Sequence, residues 1–323
     1  MEETAKQLAE RLYKELVGDR LEPLIVKYNP ITGVFKYHPY RHAFEKSTEE
    51  SLAGVLFDHL VFYSFEDAEI KKEYEGGRLE NVRTAAKEAY RDLVPKTEKK
   101  LDGMLGELLL DAMLRKFYPQ TKTVISRVKY LERQPKREIK RELYGYDAIM
   151  FSEGEGQISI WLGQAKTGDW DYCSESIRDD LNKNILKSYF AAHMIILATY
   201  KRGDNLGGLT KVINDINQIK YDTVEEGNDK RYDAIISYFV DNKIQILMPS
   251  LLLYQANEYE NTDDILADIK NKCETDLKNI SVTNAEPLNI NALFIIFPVR
   301  NLDMLRGLLL ESRLAVVGEH GKP

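Results

Sequence analysis

Four side chains in the middle of this chain have types and spacing that allow chemistry: Glu107, Asp147, Gln164 and Lys166. Asp147 opens Tyr146–Phe151 (YDAIMF), and Gln164 and Lys166 close Gln157–Lys166 (QISIWLGQAK), with a glycine-bearing SEGEG between them. The two apolar-rich runs read as strands of one hairpin. Side chains alternate across a strand. Asp147, Ile149 and Phe151 therefore share one face, as do Ile158, Ile160, Leu162, Gln164 and Lys166. The apolar members belong in a core, and the polar ones fall at the ends that meet when the hairpin closes. A carboxylate, an amide oxygen and an ammonium then occupy one corner of a half-buried sheet. Such a corner is costly unless its groups pair or bind something. Two uses fit: an Asp147–Lys166 ion pair at the sheet rim, or a ligand site.

The element that precedes the hairpin favours the ligand. In Leu101–Phe117 (LDGMLGELLLDAMLRKF), Leu101, Leu105, Leu108 and Ala112 keep helical spacing, while Leu109, Leu110, Met113 and Leu114 make the segment apolar almost all round. A buried helix results, and Glu107 lies inside it. Its carboxylate needs a partner, which a divalent cation shared with Asp147 would supply. Between helix and hairpin, Arg127–Glu142 carries seven basic residues, Arg127, Lys129, Arg133, Lys136, Arg137, Lys140 and Arg141. This is either a solvated edge or a surface that grips a nucleic-acid backbone. Tyr130, Tyr144 and Tyr146 interleave with it and offer rings for stacking.

The order helix Glu, strand Asp, then x-x-Lys on the next strand resembles the PD-(D/E)xK nuclease superfamily. More narrowly, the GELLLDAML helix, the GYDAIMF and WLGQAK strands and the late LFIIFPVRNLDMLRGLL segment are similar to HamA, the nuclease subunits of the Hachiman anti-phage system. The resemblance implies a Mg²⁺ (or Mn²⁺) dependent DNA nuclease working with a helicase subunit of the HamB type in a phage-defence complex. It also implies roles. Asp147, Gln164, the carbonyl of Ala165 and Glu107 would bind the metal, and Lys166 would orient the attacking water or stabilise the transition state. The chain departs from the pattern at Gln164, where the superfamily usually has Glu or Asp. A neutral amide there is either native, keeping the site weak, or a replacement that silences it. Glu138-x-Lys140 satisfies the bare motif and is the second choice, because it lies in the basic stretch before the Asp147 strand. A nuclease fold without activity, which binds nucleic acid or holds the partner, is the alternative.

Composition sets the frame. With 43% hydrophobic and 30% charged residues the chain has ample core for a globular α/β protein. A net charge of −7 opposes bulk attraction to nucleic acid but allows a local basic groove. Cys173 and Cys273 lack metal-ligand spacing, which argues against zinc and for a reducing compartment. The charged, helical start MEETAKQLAERLYKEL does not read as a signal peptide. The apolar run around Phe190–Thr199 is too short to span a bilayer. A cytoplasmic protein without membrane contact is expected.

Residues 1–95 read as an N-terminal cap or docking region, and 96–323 as the nuclease domain, a mixed sheet flanked by helices. In the first region Leu8, Leu12, Leu16 and Val17 predict a short helix, LEPLIVKYNPITGVFKYHPY predicts broken strands, and Ser51–Phe65 is mostly apolar. His38, His42 and His59 lack ligand spacing and read as surface or packing residues. After Lys166, a turn leads to a helix beginning near Ser176, and Met194–Tyr200 (MIILATY) reads as a buried strand. DNLGGL at 204–209 lacks the lysine of a phosphate loop and reads as a turn before a helix. KIQILMPSLLLY and Leu293–Val299 read as core strands, and LDMLRGLLLESRL as the last helix. The YDAI at Tyr232–Ile235 repeats that of Tyr146–Ile149 by coincidence, since no x-x-Lys strand follows it.

Overall fold

The structure is a computed structural model that describes residues 3–33, 35–42, 46–74, 81–82, 84, 98–118, 121–123, 146–154, 157–184, 187–201, 206–256, 262–278, 280 and 287–318. Its strands are β1 (Ile25–Lys27), β2 (Ile31–Thr32), β3 (Lys36–His42), β4 (Lys122–Thr123), β5 (Ala148–Gly154), β6 (Gln157–Gly168), β7 (Gln245–Gln255) and β8 (Ile290–Val299). They form one eight-stranded sheet in the order β1-β3-β8-β7-β6-β5-β4, with β2 added to β3. The central pairs β3/β8, β8/β7 and β7/β6 are parallel. The pairs β6/β5, β5/β4, β1/β3 and β2/β3 are antiparallel. The fold is α/β, a mixed sheet flanked by helices.

Among the described residues the longer helices are α1 (Ala5–Tyr13), α2 (Lys46–Ser64), α3 (Asp67–Glu73), α4 (Glu98–Phe117), α5 (Trp170–Asn184), α6 (Lys187–Tyr200), α7 (Gly208–Asp222), α8 (Asn228–Asp241), α9 (Thr262–Lys272) and α10 (Leu302–Gly318). Alternation along the central strands assigns them to two layers. Leu251 and Leu253 of β7, with Leu293, Ile295 and Phe297 of β8, join the core under α1–α4 and α10. Leu252 and Tyr254, with Phe294 and Ile296, join the core under α5–α9. Parallel strands covered on both faces need nearly continuous apolar sequence, and LMPSLLLY and LFIIFPV supply it.

The N-terminal region is built into this sheet. β3 pairs in parallel with β8, and α2 shares a core with α4 and α10. The expected boundary at 95/96 falls outside the described residues. Two local expectations need correction. Met194–Tyr200 is the end of helix α6, not a strand. A short apolar run does not distinguish the two by periodicity, and topology decides here: β6 and β7 are parallel neighbours, so the chain between them must cross one face, and it does so in helices. The helix expected from Ser176 begins at Trp170, because Asp169 caps it by accepting from the Tyr172 amide at 2.7 Å. The turn before a helix at 204–209 holds at its described end, since α7 starts at Gly208.

Candidate functional site

The hairpin forms as its alternation requires. Ala148 pairs with Gly163 and Phe151 with Ile160, so Asp147, one residue before β5, arrives opposite Gln164. Its amide donates to the Gly163 carbonyl at 2.8 Å. Its carboxylate Oδ2 accepts from the Ala165 amide at 2.7 Å. Asp147 thus ties the start of one strand to the end of the other. Gln164 is 3% exposed. Ile160 and Leu162, on the same face of β6, sit in the core under α5–α9, so Gln164 and Lys166 point toward that layer by alternation.

Lys166 is where the outcome differs from a simple rim pair. Its Nζ meets the Asp180 carboxylate of α5, a residue that sequence reasoning did not single out. Burial opposes the ammonium charge, but the Asp180 hydrogen bond and the charges of Asp180, Asp147 and Tyr172 outweigh it and raise the lysine above its ordinary value. Asp180 had a faint signal: it precedes Leu181 and follows Ile177 by three in a helix whose apolar stripe packs on the sheet. Without knowing that α5 lies over the end of β6, nothing in the sequence pairs it with Lys166. Tyr189 of α6 completes the surroundings. Burial raises its phenol first, and the charges of Asp180 and Asp147 add to that.

Glu107 approaches from the opposite layer. Its neighbour Gly106 lies so close to β6 that a Cβ there would stand 2.6 Å from Thr167 Oγ1 and 3.1 Å from Ala165 Cβ. The helix is therefore seated on the strand end that carries Ala165 and Lys166. The Glu107 carboxylate accepts from Tyr63 of α2 at 2.6 Å, so the partner it needed is at least partly a phenol. Four and eight residues on, Asp111 and Arg115 continue this stripe. Asp111 Oδ2 contacts His59 Nε2 at 2.9 Å and Arg115 Nε at 2.7 Å, and Arg115 donates to the Phe62 carbonyl. A helix apolar almost all round keeps one polar stripe, and α2 satisfies it. The histidines are packing residues: His59 and His42 are buried, and His38 bonds the Tyr118 hydroxyl.

The structure brings Asp147, Gln164, Ala165 and Lys166 together and seats the Glu107 helix against the same strand. Tyr146 is buried and meets Tyr189 and His193 edge-on at 5.8 and 5.5 Å, so it packs and offers no face to a base. The basic residues Arg127, Lys129, Arg133, Lys136, Arg137, Lys140 and Arg141, with Glu138, Tyr130 and Tyr144, lie outside the described residues. Among the described residues no three His, Cys, Asp or Glu side chains form a metal-binding group, and no helix is long and apolar enough to cross a membrane.

A family model described as HamA matches residues 23–312 of the 323. The chain belongs to the HamA family. No curated protein matches it. The HamA match runs from β1 into α10 and takes in Glu107, Asp147, Gln164 and Lys166. HamA belongs to the Hachiman system, so the role of the chain is in anti-phage defence.

Proposed function

We propose that this chain is a metal-dependent nuclease that hydrolyses DNA phosphodiester bonds, the effector of a defence complex with a helicase of the HamB type. The observation that carries the reading is the β5/β6 corner, where Asp147 grips the Ala165 amide beside Gln164 and Lys166. The order of these residues after the Glu107 helix resembles the PD-(D/E)xK pattern, with Gln164 in place of the usual acidic residue. Asp147, the Gln164 side-chain carbonyl and the Ala165 carbonyl offer the oxygens that suit Mg²⁺ or Mn²⁺, while Glu107 stands in the opposite layer bonded to Tyr63 and would have to leave that phenol to join them. When bound, the ion lowers the pKa of a water and neutralises charge on the scissile phosphate.

The rest falls to the chain itself. Asp147 supplies formal negative charge at the corner, and its bond to the Ala165 amide limits drift of the two strand ends. Lys166, kept protonated by its carboxylate neighbours, meets phosphate oxygens as a compact charge, a contribution on the order of 10²-fold in rate. The basic residues of 127–141 lead the DNA backbone toward it, with Glu138 and Lys140 as the second-choice pair.

A second reading has its own support. Gln164 is buried and neutral, and Lys166 is held by Asp180; both suit a nuclease fold that only binds nucleic acid or the helicase. The test incubates the full chain with linear, circular and single-stranded DNA, with and without Mg²⁺ and the helicase. Mg²⁺-dependent nicking is expected. DNA or helicase binding without cleavage under every condition would establish the second reading instead.

A further inference from the structure

We propose that Asp180 stands in for a DNA phosphate at Lys166, a positioning residue that holds the ammonium at the end of β6 until the nucleic-acid backbone takes its place; this rests on the nuclease reading. Among the described residues Asp180 is the ion-pair partner of Lys166. The side chains of the pair are 20% and 26% exposed, open enough for exchange with an arriving anion. The backbone under Asp180 is fixed, since Cys173, Ile177 and Leu181 on the same helix are all fully buried. The carboxylate therefore stays in place and holds the flexible lysine in one position.

Carboxylate and phosphate offer an ammonium the same thing, an anionic oxygen acceptor. A phosphate that reaches Lys166 must displace Asp180 or sit beside it against like-charge repulsion, with Asp147 adding to that repulsion. The resting site is thereby biased against weakly held backbone and accepts DNA that other contacts already anchor. Removing the Asp180 charge should therefore tighten binding, the reverse of what loss of a merely structural ion pair does.

The experiment measures binding of a short labelled duplex to the full chain by fluorescence anisotropy in EDTA, where cleavage does not intrude. Asp180→Asn should bind about threefold to fivefold tighter, more so at low salt, and Asp180→Glu should match the wild type. The gain should vanish in Asp180→Asn combined with Lys166→Ala, the coupling that identifies Lys166 as the group released. Should Asp180→Asn fail to melt cooperatively, Asp180→Ser gives the same readout. Absence of a gain in the folded variant, or a gain that survives loss of Lys166, overturns the proposal. Mg²⁺-dependent cleavage by the wild type is scored separately: a wild type that never cuts removes the nuclease reading while the exchange at Lys166 stands or falls on the binding data.

Discussion

Gln164 occupies a nearly dry position at the end of β6, and a carboxylate in its place would be costly there unless a cation joined it. Two outcomes follow for Gln164→Glu. In EDTA the variant should melt below the wild type, and in millimolar Mg²⁺ it should recover, because a ligand that binds only the folded state stabilises it. Isothermal calorimetry should show tighter Mg²⁺ binding, since a full charge replaces an amide dipole beside the ion. Unchanged affinity here, together with loss of binding in Glu138→Ala, would move the metal site out of the hairpin. Lys166→Ala should abolish cleavage while the melt changes little, as the side chain is partly exposed and its loss opens no core cavity. Full activity in that variant would promote Lys140.

At the scale of elements, the seat of α4 on β6 decides how the Glu107 helix meets the strand carrying Gln164 and Lys166. Gly106 permits the close approach, and Gly163 repeats the device further along β6, where an added Cβ would stand 2.9 Å from Leu110 Cδ2 and 3.0 Å from Ala148 Cβ. Gly106→Ala should push helix from strand and cost about 1–3 kcal/mol, read from urea unfolding. Combining it with Thr167→Ala, which removes the hydroxyl in the way, should cost less than the sum of the two single changes. Simple additivity would mean that the helix is not seated by this contact.

For the whole molecule, two histidines link pH to stability, His59, which is buried, and His38, which is half-buried. Burial is the main force holding His59 below the ordinary histidine value, with Asp111 opposing it. Burial, aided by Lys27 and Lys36, lowers His38 to about 4. The unfolded chain takes up these protons near pH 6.5, and the folded chain does so only at lower pH. Their stabilisation is therefore present in full above about 6.5 and lost as pH falls toward 4. Urea midpoints should decline over that window, and His38→Gln should flatten part of the decline. A variant with the same pH slope as the wild type would contradict this assignment.

Much of this was legible along the chain. Alternation in YDAIMF and QISIWLGQAK predicted the hairpin and the meeting of Asp147 with Gln164 and Lys166, because strand period is local geometry. Near-continuous apolar sequence predicted the buried α4 and the core strands β7 and β8, because elements covered on nearly every side need apolar side chains nearly all round. Tertiary structure decided the partners. Asp180 comes to Lys166 from α5, and Tyr63 comes to Glu107 from α2, across distances in sequence that no local period spans. It also decided the secondary structure of ambiguous runs. Tyr146–Ile149 leads into strand β5, while the identical Tyr232–Ile235 lies within helix α8. Four residues carry too little preference to choose for themselves, so the first set follows the antiparallel neighbour waiting in β6 and the second follows the helical crossover that returns the chain to β7.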